Sequence, residues 1–167
     1  AAKGGLGAEI FRVRWRPALP TAPWHSPRHS PLRHSPPRNP AYARGMRITD
    51  VRTWLVGNPW KNWLFVRVDT DEGIHGVGEG TLNALTRTVG TAIEELRAQY
   101  IGLDPTQVEL LLQRMVRDPY SEGGQLHMTA AAAIEVACWD IIGKSVGLPD
   151  HALLGGRMRD KVRVYAN

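Results

Sequence analysis

Five side chains in two short stretches have the types needed to grip a small polar molecule. The first stretch is GNPWKNW, residues 57–63. Asn58 and Pro59 make a turn there. Lys61 brings a cation that attracts a carboxylate, and the Asn58 and Asn62 amides both donate and accept hydrogen bonds. Trp60 offers an apolar surface to cover a bound molecule. The second stretch is GTLN, residues 80–83, with Thr81 just ahead of a helical pattern. Backbone amides at a helix N-terminus favour an anion. The plainer readings are a solvated hairpin loop for the first stretch and an ordinary helix cap for the second.

Chemistry beyond gripping has fewer carriers. From residue 46 onward the acids are scattered over turns and helix faces with no convergent spacing, so no catalytic residue and no metal ligand is assigned. Glu79 is the one carboxylate set inside a strand pattern, and it reads as a hydrogen-bonded structural group. The stretch TAAAAIEVACWDIIGKSVGLP, residues 129–149, joins four alanines to a Trp-Asp pair. The alanines let neighbouring backbones approach at little cost in side-chain entropy. Trp139 reads as a core anchor and Asp140 as a paired or capping carboxylate. Cys138 is the single cysteine, which excludes an internal disulfide and a cysteine-rich metal centre.

The elements that must position these residues are a set of strands followed by helices. Residues 46–56 are rich in β-branched and aromatic types, with broken alternation around Asp50 and Val51. Residues 62–69 alternate cleanly, Leu64, Val66 and Val68 on one face and Trp63, Phe65, Arg67 and Asp69 on the other. TDEG at 70–73 is a turn, and 74–80 is a third strand with Gly76, Gly78 and Gly80 on one face, open to another backbone. Short connections predict an antiparallel meander. The first helix carries Leu85, Val89, Ala92, Ile93, Leu96 and Tyr100 on one stripe, with Asn83 or Thr86 as its cap. The second starts at LDPTQ with Asp104 as N-cap, Pro105 at the first position and Gln107 at the third, and Asp118-Pro119 closes it. The third buries Leu126, Ala130, Ala133, Ile134, Ala137 and Ile141 on one face and Glu135, Trp139 and Ile142 on another, and ends at Gly147 and Pro149. Residues 161–166 alternate as a further strand. The sequence stops at Asn167 as that element begins, and the expectation is a chain cut short. The fold class is α+β.

Residues 1–45 differ in kind. They hold eight of the 12 prolines, eight of the 21 Lys and Arg and one acid, Glu9. The tail is therefore +7 and residues 46–167 are −2, so the overall +5 belongs to the tail. HSPRHSPLRHSPPRNP at 25–40 repeats proline too often for helix or sheet to propagate, and the expectation is a disordered Pro/His/Arg-rich tail. Met46 also reads as a natural start, with residues 1–45 outside the native polypeptide; both readings stand. No secretory signal and no apolar run of about 20 residues is visible. With the lone cysteine this points to a cytoplasmic, reducing setting.

Three phrases carry a family resemblance: GVGEGT at 76–81, AIEVACWDIIGKSVGLP at 133–149 and LLGGRMRDKVRVYA at 153–166. Together they resemble the enolase superfamily, in its mandelate racemase and muconate lactonizing branch. The resemblance covers residues 46–167 and none of the tail. NWLFVRVDTDEGIHGVGEGTLNALTRTV is most similar to acid-sugar dehydratases of the galactonate dehydratase kind. Beyond the tail at 1–45, the resemblance implies an α+β N-terminal capping domain at 46–156, with a three-stranded meander followed by a helical bundle, and the first strand of a truncated TIM barrel within 157–167.

For activity, the resemblance implies a Mg²⁺-dependent enzyme that abstracts the proton α to a sugar-acid carboxylate and then expels the β-hydroxyl. The metal carboxylates and bases would come from barrel strands after Asn167, so this chain alone is expected to bind no Mg²⁺ and to be inactive. Its share is substrate selection by cap loops, which assigns Asn58, Trp60, Lys61, Asn62 and Thr81 to the sugar acid. A homo-oligomer is implied for the full-length enzyme, without membrane or nucleic-acid partners; the folded part lacks a basic stripe. Alternatives are a racemase, epimerase or cycloisomerase of the same superfamily, and a non-catalytic interaction module with a basic tail. Two departures stand out. Asp150 replaces an apolar residue, and Glu122 stands beside Gly123-Gly124 where a basic residue is usual.

Overall fold

Four strands and four helices make up the computed structural model, which describes residues 10–11, 45–57, 61–117 and 123–165. They run β1 (Ile10–Phe11), β2 (Ile48–Gly57), β3 (Asn62–Thr70), β4 (His75–Glu79), α1 (Thr86–Tyr100), α2 (Val108–Val116), α3 (Gly124–Val146) and α4 (Asp150–Leu153). The sheet is antiparallel in the order β1-β2-β3-β4. The meander of β2, β3 and β4 is the one expected from the alternation.

The tail expectation meets one difference. Ile10 and Phe11 pair with Val56 and Leu55 and add a two-residue strand to the β2 edge. An exposed edge accepts any extended segment with free amides. The proline-repeat segment at 25–40 lies outside the described residues.

Side-chain period decides which way the sheet faces. Leu64, Val66 and Val68 are buried under the helices, and Trp63, Phe65, Arg67 and Asp69 occupy the other face. The broken alternation in β2 has a structural cause. The register shifts between Ile48 and Asp50. The extra residue lets both Ile48 and Val51 turn inward although they are three apart. Asp50 steadies the bulge by accepting from the Val51 amide at 2.9 Å. Gly73, at φ 77°, makes the turn into β4.

The helices keep the expected faces but not the expected starts. Val89, Ile93 and Tyr100 of α1 are buried, while Leu85 is half-exposed at the N-cap position. Neither Asn83 nor Thr86 caps α1. The Thr86 hydroxyl instead donates to the Leu82 carbonyl at 2.7 Å. In α2 the capping box moves out of the helix. The Asp104 carboxylate accepts from the Thr106 amide, 2.9 Å, and hydroxyl, 2.7 Å, which closes a separate turn, so the helix starts only at Val108. Asp118-Pro119 lies outside the described residues.

α3 ends as expected, with Gly147 left-handed at φ 70° just past it. Its first face is buried through Ala130, Ala133, Ile134, Ala137 and Ile141, joined by Ala131 and Cys138. The second face is only partly covered: Trp139 is half-buried and Val136 is 49% exposed. Trp139 packs against the core while remaining partly exposed. By length and composition α3 is apolar enough to cross a bilayer, which the sequence reading did not expect. Its alanine content reflects a sheet-facing surface: Ala133 and Ala137 lie directly on Gly78 and Gly76.

The C-terminal segment also differs from expectation. Residues 161–165 form no strand, and Val162, Val164 and Tyr165 are exposed. Strand geometry needs a partner ladder, and the sheet of this chain lies elsewhere. The core holds one polar anomaly. Tyr100 is fully buried and its hydroxyl has no hydrogen-bond partner among the described residues. Tyr100→Phe is expected to raise stability by about 1 kcal/mol by removing that unpaired group, read as a higher urea midpoint at unchanged slope.

Candidate functional site

The β2–β3 hairpin and the end of β4 bring three of the five proposed contact residues to one end of the sheet. Asn62 opens β3 opposite Gly57. β4 runs antiparallel to β3, so its last residues return to the same end, where Gly80 donates to the Leu64 carbonyl at 2.9 Å. Thr81 follows, and its hydroxyl oxygen accepts from the Leu64 amide at 3.1 Å. Lys61 and Asn62 thus lie at the same sheet end as Thr81, although about 20 residues away in sequence, with Lys61 on the face of Trp63 and Asn62 on the face of Leu64. Asn58 and Trp60 lie outside the described residues.

Local geometry narrows what each can do. The Lys61 ammonium sits 3.6 Å from the centroid of the Trp63 ring. An indole face attracts a cation and restrains its long stem, so the charge is held near the hairpin tip. Trp63 was not singled out from the sequence, yet positions i and i+2 of a strand share a face, and that spacing is the signal. One of the two lone pairs of the Thr81 hydroxyl is engaged by the Leu64 amide, which leaves the second lone pair and the hydroxyl proton for other partners. α1 starts at Thr86, so Thr81 lies outside the helix's first turn and gains little from its dipole.

Three aspartates are engaged in structural ion pairs. At the opposite end of the sheet Asp69 pairs with Arg52 and, at 2.7 Å, with Arg67, while Asp50 binds Arg97 at 2.5 Å. Burial pushes the Asp69 pKa up, but the hydrogen bonds and charges of Arg52 and Arg67 outweigh it and hold it below the usual carboxylate range. Asp140 accepts from the Val77 amide at 2.9 Å and pairs with Lys144 at 2.7 Å, which makes it the paired carboxylate expected from the sequence. Glu79 is exposed at the sheet surface. Burial, aided by the Glu135 and Asp104 charges, lifts the Cys138 thiol to about 12, far from the range of a nucleophile.

Among the described residues no three His, Cys, Asp or Glu side chains converge on a common point. The arrangement places a lysine cation, a side-chain amide and a hydroxyl at one sheet end.

Comparison with known proteins matches this architecture. Residues 55–155 fit the family model described as mandelate racemase / muconate lactonizing enzyme, N-terminal domain. A D-galactonate dehydratase of Variovorax paradoxus is 42% identical over 121 residues, 72% of this chain and 31% of that protein. The chain thus spans about a third of the length of such relatives. Among solved structures, an enolase from Pantoea ananatis with bound D-gluconate and Mg matches with a TM-score of 0.65 and 36% identity, over 69% of this chain and 28% of that one. An isomerase from Streptomyces coelicolor A3(2) matches with a TM-score of 0.57 and 38% identity, over 69% and 32% of the two chains.

Proposed function

The chain belongs to the mandelate racemase / muconate lactonizing enzyme family as its N-terminal domain, and from that membership we propose that it is the substrate-selecting cap of a sugar-acid dehydratase. The observation that carries this reading is the 42% identity to D-galactonate dehydratase, which runs through the folded domain. In this reading Lys61, steadied by Trp63, attracts the carboxylate of an aldonate, and Asn62 and the Thr81 proton bind its hydroxyls. Asn58 and Trp60, from the same stretch of sequence, are assigned to the same ligand. Proton abstraction α to the carboxylate, and the Mg²⁺ of the intact enzyme, belong to groups outside residues 1–167.

Exposed apolar side chains support a second body resting on this domain. Met128, Val136 and Val146 line one side of α3, and Leu148, Leu154, Met158 and Val162 continue past it. A patch of that extent is normally covered. We assign that cover to a catalytic barrel and extend the reading to a homo-oligomeric, cytoplasmic enzyme; the buried Cys138, with no disulfide partner, suits a reducing setting. The isomerase match favours a second reading, proton abstraction and return without loss of water.

A chimera separates the two. Residues 46–157 of this chain replace the corresponding segment of the Variovorax paradoxus D-galactonate dehydratase. The dehydratase reading expects a folded chimera that dehydrates an aldonate. Within it, Lys61→Met is expected to raise KM about tenfold or more with a smaller change in kcat, since a charged hydrogen bond is worth about 1.5–3 kcal/mol. A folded chimera that epimerises aldonates without dehydrating them would support the isomerase reading, and one that consumes none would sink both.

A further inference from the structure

The free edge of β4 is closed by a helix rather than by a strand. Gly80 and Thr70 bond across to Leu64 and Ile74, which turns the amides of Gly76 and Gly78 toward β3. The amides and carbonyls of His75, Val77 and Glu79 therefore point away from the sheet. Two of these groups are taken up by α3. The Asp140 carboxylate accepts from Val77 N–H at 2.9 Å, and the Lys144 ammonium donates to the His75 carbonyl at 2.7 Å. The two side chains, one helical turn apart, also pair with each other at 2.7 Å. Their reach depends on the glycine seat, because a side chain on β4 would lift α3 off the strand.

We infer that the Asp140–Lys144 pair locks the β4 edge against addition of an extended segment from a second copy of this chain. Open strand edges recruit other strands, and charged groups are a common way to blunt them. A second copy is the fitting occupant because the edge is self-complementary. Antiparallel addition centred on Val77 sets His75 of each copy against Glu79 of the other, an imidazole facing a carboxylate. The outward groups at positions 75, 77 and 79 then meet in register. The added segment must be extended rather than folded. Strands lie about 4.8 Å apart, whereas a helix is about 10 Å across, so another copy's α3 has no room beside this one.

The test compares chain 1–167 with Asp140→Ala/Lys144→Ala under agitation, reading thioflavin fluorescence and sedimentable protein, with circular dichroism to check the fold. The lag is expected to shorten severalfold in the double variant. Adding Val77→Pro removes the outward N–H but no bond to β3, and it is expected to restore the wild-type lag. If the double variant does not fold, Lys144→Met decides, since it frees the His75 carbonyl and keeps the apolar stem. A folded variant with the wild-type lag overturns the inference. So does a shortened lag that Val77→Pro leaves unchanged, because the exposed apolar surface would then be responsible.

Discussion

Gly78→Ala is expected to destabilise the domain by about 3 kcal/mol or more, at the upper end of overpacking costs. A Cβ built on Gly78 lies 2.0 Å from the carbonyl oxygen of Ala133, and one on Gly76 lies 1.8 Å from that of Ala137. Both obstacles are helix backbone, which has no rotamer to move. Relief requires α3 to lift from β4. That would break its contacts with the sheet and pull Asp140 and Lys144 from the strand edge. Gly80→Ala is the internal control. Its Cβ meets Leu64 Cδ2 at 3.3 Å, which can change rotamer, and Ala133 Cβ at 3.1 Å, which needs α3 to give by only a few tenths of an ångström. It is expected to cost about 1 kcal/mol. Thermal melts distinguish the two, with Tm falling by roughly 10 °C or more for Gly78→Ala and only a few degrees for Gly80→Ala. Similar, small shifts for both would mean that α3 is not seated on the glycines.

The second large effect is an absence of turnover. Chain 1–167 incubated with D-galactonate and Mg²⁺ is expected to form no 2-keto-3-deoxy acid above a protein-free blank. Proton abstraction next to a carboxylate needs a base and electrostatic stabilisation of the enediolate. Here Asp50, Asp69 and Asp140 are tied to cations, Asp104 holds a turn, and the Cys138 thiol is buried and protonated. Lys61 and Lys144 are cations already engaged by Trp63 and by Asp140 with the His75 carbonyl. Product above the blank, scaling with protein, would place a catalytic group within this chain and overturn the division of labour proposed here.

Legibility differed between fold and site. Strand β3 was readable because the alternation over residues 62–69 follows directly from burying one face. The C-terminal end of α3 was readable for a similarly local reason, as Gly147 takes a left-handed conformation that other residues resist. The start of α2 was not. Asp104-Pro105-Thr106 satisfies the pattern for a helix cap and for a separate turn, and only the bond from the Thr106 amide to Asp104 decides between them. At the site, residue types named Lys61, Asn62 and Thr81 as candidates. That Thr81 accepts from the Leu64 amide, and that Lys61 rests on Trp63, were not visible at those positions alone.

The sequence by itself determined the periodicities: which faces of β3, α1 and α3 are apolar, where glycine permits close approach, and that a Trp-Asp pair lies on one helix. These are consequences of side-chain size and spacing within a single element. Tertiary structure alone decided that Ala133 and Ala137 face Gly78 and Gly76, that Asp140 and Lys144 reach across to the β4 edge, and that residues 161–165 find no strand to join. Each of those depends on two segments far apart in the chain meeting at a particular distance. Hydrogen bonding and steric exclusion act on that distance, and the local pattern does not contain it.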